Sequence, residues 1–487
     1  MDLDRDNSIG ALFRAGLVKA RPWLCWLVPA AAVLCFLAWG YISLRPHFTC
    51  DDAEPEILNQ AWRFARGESI YRAIDSPPYA FAAYPPLYYA LAGLLMKTTG
   101  LTFLPARLLT FLSTLSVGWA MASLSRQWRQ TARNGLWAAF FFLLIPAALY
   151  NAARCHVQMM ALAFSVWSLV FFLRGRRMPA LIISPVLAVL AFYTKQTQIA
   201  LPLALVMYLM VHRRRWLLPY AATGAATGLL ALFWLQKATQ GAFFLDTVTL
   251  ARLSYSISQI PLVFLHFAGP ILLFIGLALH LLWKRWKAKL WEPIDYYLAC
   301  TFLTTILFLG RLGAHGQYVL ELLAVTLIFL LRTTGLPSIH GREVLVSLQV
   351  IFLLAYTPTF VLVEEGQFNM AANRAAQQIY PLLREGSRPI LSQQESFSLF
   401  SRGEIYVQLF HFIGLARAGL WDQKPLLDQI NNHAFSWVIT QFPLEEARQG
   451  ADDRERFTPE ILDALRRNYR RQEAIYPYYC YRALPAP

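Results

Sequence analysis

Asp51, Asp52 and Glu54 follow directly on an apolar stretch long enough to cross a membrane, which places three acids just outside the lipid boundary. Carboxylates at the rim of a membrane bundle are costly to hold unless a task keeps them there. One task suits them: a carboxylate can act as general base on a hydroxyl nucleophile. Farther along, Arg154 and His156, then Lys195 and Gln196, then Arg311 and His315 sit in segments between apolar runs. Glu321 lies one turn into the apolar helix that follows the last pair. Cations of this kind can bind a phosphate and stabilise its departure. A base beside a phosphate pocket is what glycosyl transfer from a lipid-linked sugar phosphate requires.

Each residue also has a plainer role. Asp52 or Glu54 would cap the helix that begins near Pro55, whose apolar positions Ile57, Ala61 and Phe64 repeat at helical spacing. Lys195 would snorkel at a helix end. His315, between Gly313 and Gly316, would serve a tight turn, and Arg107 would anchor its span at the interface. Tyr84-Pro85-Pro86 would be a stiff lead-in to the next helix, because proline fixes its own φ and holds the preceding residue extended. Glu321 resists such a reading, since a charge inside an apolar helix needs a partner.

These residues must be positioned by membrane helices. The chain has 487 residues, 57% hydrophobic and only 15% charged, with a net charge of +15. Its arginines and lysines fall in short clusters between apolar runs, which is the pattern of membrane topology and not of a nucleic-acid groove. The cysteines show no metal or redox spacing. Arg5, Arg14, Lys19 and Arg21 precede the first span, roughly 23–44, so residues 1–22 are expected in the cytoplasm. The first apolar run lacks a small-residue cleavage site and reads as a retained helix. Residues 45–103 form an outer loop, with 86–98 lying along the interface or dipping into it. Spans follow near 106–124, 135–150, 158–173, 180–194, 199–211, 216–235, 261–283, 295–310, 317–331 and 343–363, about eleven in all by length and hydropathy. Arg174-Gly-Arg176-Arg177, His212-Arg213-Arg214-Arg215 and Lys284-Arg285-Trp286-Lys287 then share the cytoplasmic side. All the candidate residues share the other side, where the basic ones run against the positive-inside bias.

After about residue 364 the composition becomes more polar. Strand-like pieces at 388–391 and 435–442 and a helix over 458–469, capped by Thr458 before Pro459, suggest a small α/β domain outside the membrane. The fold expected is an all-α polytopic membrane protein with a small C-terminal extracytoplasmic α/β domain. Its parts are the cytoplasmic N-terminus 1–22, a transmembrane domain 23–363 that includes the outer loop 45–103, and the outer domain 364–487.

At these residues the chain resembles the GT-C class of membrane glycosyltransferases, which includes protein O-mannosyltransferases and the aminoarabinose transferases that modify lipid A. The matching pieces are the acidic pair after the first span, Gly67-Glu-Ser-Ile-Tyr71, Tyr84-Pro-Pro-Leu-Tyr88, the Thr194-Lys-Gln-Thr197 loop and Gly316-Gln-Tyr-Val-Leu-Glu321. Gly419-Leu-Trp-Asp422 and Phe457-Thr-Pro-Glu460 are similar to the outer domain of bacterial relatives. The resemblance implies an inverting transferase in a bacterial inner membrane that uses a polyprenyl-phosphate sugar, with a first-loop aspartate as base. Relatives often carry a simple Asp-Glu pair, whereas this chain reads Asp51-Asp52-Ala53-Glu54. Asp52 is the first choice for the base, followed by Asp51 and Glu54. Arg154, His156, Lys195, Arg311 and His315 would bind the donor phosphate. Tyr84, Gln196 and Glu321 would position groups, Glu321 acting on His315 or Arg311. Asp51, Asp52, Glu54 and His156 are the residues that would ligate a divalent cation, and nothing in their spacing argues for one. The expected partners are the lipid-linked donor, a glycan, lipid or protein acceptor, and membrane lipids. A transporter or flippase of lipid-linked saccharides is the rival reading, and would distribute polar residues through the membrane depth and repeat its helices. A ligase joining whole lipid-linked glycans is another.

Overall fold

Apolar runs punctuated by basic clusters and prolines give a chain of helices. The computed structural model describes residues 28–44, 48–49, 51–174, 178–251, 254–334, 343–384, 386–446 and 456–484. The expected cytoplasmic N-terminus 1–22, the start of the first span and the pair Arg176–Arg177 lie outside them. The chain divides into two compact units. One comprises 1–43, 108–230 and 255–364; the other comprises 44–107, 231–254 and 365–487. The outer loop 45–103, expected as part of the transmembrane domain, therefore groups with the C-terminal domain.

The first unit is a bundle of apolar helices. Three stretches among the described residues are long and apolar enough to cross a membrane: Leu104–Gln127, Arg214–Ala238 and Gln259–Lys287. Shorter apolar helices include Gln158–Arg174, Ala200–His212 and Pro293–Leu309. Gly135 lets one helix approach another closely, since a Cβ there would lie 2.5 Å from the backbone of Met121 and Ala122. The basic tails meet at one end of this unit. Gln127 Nε2 donates to Val170 O at 3.2 Å, Arg285 forks Asp295 at 2.6 and 3.0 Å, and Arg332 forks Glu292. Glu292 and Asp295 also form a capping box on the Pro293–Leu309 helix, which satisfies its first free N–H groups. At the other end the short Pro146–Asn151 helix packs on the turn Gly316–Tyr318.

The second unit is α/β. Its four-stranded sheet runs β1 (Ile390–Ser392), β2 (Trp437–Thr440), β4 (Tyr478–Ala483) and β3 (Tyr469–Ile475) in spatial order. β1 and β2 are parallel, and the other pairs are antiparallel. Side chains alternate between faces along a strand. Trp437 and Ile439 accordingly join Phe48 and the helix Gly366–Leu383 on one face, while Val438 joins Tyr79, Phe81 and Phe412 on the other. The hairpin β3–β4 carries arginines and tyrosines with little apolar alternation, so no local pattern marks its strands. Thr458 caps the Pro459–Asn468 helix, its Oγ1 accepting from Ile461 N at 3.3 Å.

Candidate active site

In the α/β unit the first acids take three different roles. Asp51 Oδ1 accepts from Ala53 N at 2.9 Å and Glu54 N at 3.2 Å, so Asp51, and neither Asp52 nor Glu54, holds the start of the helix Ala53–Ala65. A negative charge at a helix N-terminus is favoured by the macrodipole, and the two N–H donors fix the carboxylate plane. Asp52 Oδ2 is engaged by Arg456. Although the Asp52 side chain is 37% exposed, burial among its neighbours raises its pKa above the usual range, with Arg456 opposing and Asp51 adding. Glu54 is 0% and Arg107 2% exposed. They meet in a two-bond fork at 2.9 Å each, with the guanidinium stacked 4.3 Å over the Phe103 ring. That pair corrects two expectations. Glu54 is not an accessible base, because both of its oxygens are committed, and Arg107 is a core partner and not an interfacial anchor.

The rest of the outer loop is stitched into this unit. Tyr71 Oη donates to Tyr84 O at 3.0 Å and Tyr84 N donates to Tyr89 Oη at 3.3 Å, so Tyr84 is fixed through its backbone. Ala82 N donates to Asp246 Oδ2 at 3.1 Å. Burial pushes the Asp246 carboxyl up to about 7, against the hydrogen bonds and charges of Ala82, Arg72 and Arg63. Glu56 meets His411 Nδ1 at 3.0 Å. Glu395 is raised well above the usual range by burial, then by Glu56 and Asp52.

In the helical unit the basic candidates gather at the end away from the basic tails. Lys195 is 0% exposed and ends the Met178–Thr194 helix, its Nζ 4.2 Å above the Tyr318 ring. Burial, then Arg311, lower its pKa to about 7, with Glu321 opposing. Gln196 is half-buried in the same turn. Glu321 accepts from Tyr297 Oη at 2.7 Å. It is therefore held by a neighbouring helix, and its charge acts on Lys195. Arg311 lies on a short strand bridge to Tyr255, and Gln259 Nε2 donates to its carbonyl at 2.9 Å.

Arg154 is 3% exposed, its guanidinium 4.4 Å over Tyr150 and 5.2 Å over Trp39. His315 is exposed and packs on Phe267 and Tyr150, with ring centroids at 4.4 and 6.0 Å. Gly316 makes this possible, since a Cβ there would lie 2.9 Å from Phe267. His156 is buried, its Nδ1 2.7 Å from Asn151 Oδ1. Gln158, Gln198, Thr305, Tyr318 and Glu321 line a polar recess of about 10 Å³, room for about one water. Of the four residues that would ligate a divalent cation, Glu54, Asp52 and His156 are bonded to Arg107, Arg456 and Asn151 respectively. Among the described residues no group of three or more His, Cys, Asp or Glu could hold a metal ion.

Residues 83–235 match the family model for dolichyl-phosphate-mannose-protein mannosyltransferase. A sequence search of curated proteins returns no match. Among solved structures, ArnT from Cupriavidus metallidurans bound to undecaprenyl phosphate is similar with a TM-score of 0.63 and 13% identity, over 93% of this chain and 97% of that one. The apo oligosaccharyltransferase of Archaeoglobus fulgidus gives 0.56 and 11%, over 91% of this chain and 72% of that one. The chain has the GT-C glycosyltransferase fold.

Within this GT-C fold several partners of the candidate residues were not singled out from sequence. Tyr318 sits inside the quoted Gly316–Glu321 motif and could have been read as a ring beneath a lysine. Tyr297 lies 24 residues from Glu321 in an apolar helix, and its only signal was the need of a buried acid for a donor. Arg456 is separated from Asp52 by 404 positions, and no local pattern marks it.

Proposed function

We propose that this protein transfers a sugar from a polyprenyl-phosphate donor to an acceptor hydroxyl on the extracytoplasmic side of a bacterial inner membrane. The observation that carries the reading is the set of buried or half-buried cations Lys195, Arg154 and Arg311 at the end of the helical unit opposite its basic tails. A cluster of cations suits an anionic ligand, and the similar solved structure with undecaprenyl phosphate bound suggests its chemical class. Lys195 and Arg311 would take the phosphate. Tyr318 and Glu321 would hold Lys195 in place, and Arg154 and His315 would line the approach.

The step is an inverting displacement. The acceptor oxygen bonds to the anomeric carbon, the bond from that carbon to the phosphate oxygen breaks, and polyprenyl phosphate leaves with the electron pair. The acceptor proton goes to a first-loop aspartate. Asp51 is the better base, because two backbone N–H groups orient it through one oxygen, whereas Asp52 is turned to Arg456. A general base must be held in reach and in orientation. The test is to incubate purified protein in lipid with a panel of polyprenyl-phosphate sugars and candidate acceptors. Release of polyprenyl phosphate with one or more donors is expected. Unchanged donors across the panel, with transbilayer movement of a lipid-linked saccharide instead, would favour the flippase reading.

A further inference from the structure

The proposed reaction leaves the basic end of the helical unit unused. There a groove of about 480 Å³ runs beside the helices Ala200–His212 and Pro293–Leu309, within the volume range of pockets that take small ligands. Leu203, Met207 and Leu303 form its apolar length, and they are 47%, 39% and 68% exposed, so it opens toward lipid. His212, Trp291 and Lys289 close its other end. From Leu203 to His212 the helix rises about 13 Å, enough to lay a stretch of hydrocarbon chain along it.

The polar end carries unbalanced positive charge. Arg285 is taken by Asp295, and Arg332 by Glu292. Among the described residues no ion pair joins Lys284, Lys287 or Lys289 to a carboxylate. Lys289 stands at φ 55°, a conformation that residues with a side chain seldom adopt. It closes the turn after the Leu272–Lys287 helix, its N–H donating to Trp286 O at 3.0 Å. His212 Nε2 lies 3.2 Å from Tyr296 Oη, and the Trp291 and Tyr296 rings are 4.8 Å apart. Tryptophan and tyrosine favour the headgroup level of a bilayer, and basic pockets between membrane helices attract anionic headgroups.

We propose that this groove binds an anionic glycerophospholipid, with one acyl chain along Leu203, Met207 and Leu303 and the phosphate at Lys289. Topological bias accounts for lysines at this end, but not for an apolar concavity that terminates on one of them. A zwitterionic lipid would bring its own cation toward Lys289, which lines the polar end, so the site should discriminate by headgroup charge.

The test uses the full chain in mixed micelles and reads tryptophan quenching by phospholipids with brominated acyl chains, taking the difference from a W286F/W291F variant. Brominated phosphatidylglycerol should quench at a lower mole fraction than brominated phosphatidylcholine, by about fivefold for each lysine engaged. Lys289→Gln should erase that preference while sugar transfer and total quenching by phosphatidylcholine stay unchanged. Equal quenching of the wild type by the two lipids would overturn the proposal and leave only a general lipid annulus. Displacement of phosphatidylglycerol by undecaprenyl phosphate at equal mole fraction would also overturn it, by assigning the groove to a prenyl chain. The wild-type comparison decides the matter even if a variant fails to fold.

Discussion

Asp51 and Asp52 are adjacent in sequence and unlike in surroundings. Asp51 is oriented by backbone N–H groups at a helix start, and Asp52 is paired with an arginine of the C-terminal domain. If Asp52 and Arg456 act as one ion pair that braces the loop, Asp52→Asn and Arg456→Met should each lower turnover by less than about tenfold. The double variant should then lose no more than either single one, because neighbours in one interaction are not additive. Additive losses measured in the cycle would show that the two act separately. Lys195 gives a pH signature. With its pKa near 7 in the free protein, the ammonium is present below that value and lost above it. The donor kcat/KM should thus be flat below about pH 7 and fall as pH rises through it, while Lys195→Gln should abolish this limb and lower donor use by about tenfold to a hundredfold, as expected for one charge-assisted bond to phosphate. A Lys195→Gln variant with normal turnover and an unchanged profile would remove Lys195 from the site.

At the scale of elements, the Glu54–Arg107 fork ties the helix Ala53–Ala65 to the start of the helix Leu104–Gln127. Breaking a buried pair by removing one charge costs about 3–5 kcal/mol, since the other is left uncompensated. Glu54→Gln should therefore lower thermal stability markedly while the folded fraction keeps its specific activity, measurable by unfolding in detergent alongside single-turnover assays. A stable but inactive variant would return Glu54 to the catalytic group. This pair also shows why the sequence misled: three acids within four residues look alike until the partner, 53 residues away, is placed. Helices were legible because long apolar runs and basic tails leave few alternatives, and the Thr458-Pro459 cap read correctly because it is local. The β3–β4 hairpin was not, because neither strand shows an apolar alternation. The role of Arg107 was not legible for a similar reason, since it depends on a partner in another helix.

At the scale of the whole molecule, the outer loop belongs with the C-terminal unit, and the basic tails mark one end of the helical unit. The proposed orientation makes a checkable prediction: cysteines at Glu68 and Glu473 should react with an impermeant reagent from outside intact cells, and one at Arg214 only after permeabilisation. Labelling of Glu473 from the cytoplasmic side would invert the arrangement and place the cation cluster on the wrong face for a lipid-linked donor. The most direct test of the central claim is a single-turnover assay of polyprenyl phosphate release by wild type and Asp51→Asn, with donor binding measured on the same samples. Asp51→Asn keeps size and hydrogen-bonding reach but cannot take the acceptor proton. The account predicts release slowed by about 10²–10⁴-fold with donor affinity unchanged; release at the wild-type rate in Asp51→Asn would contradict it.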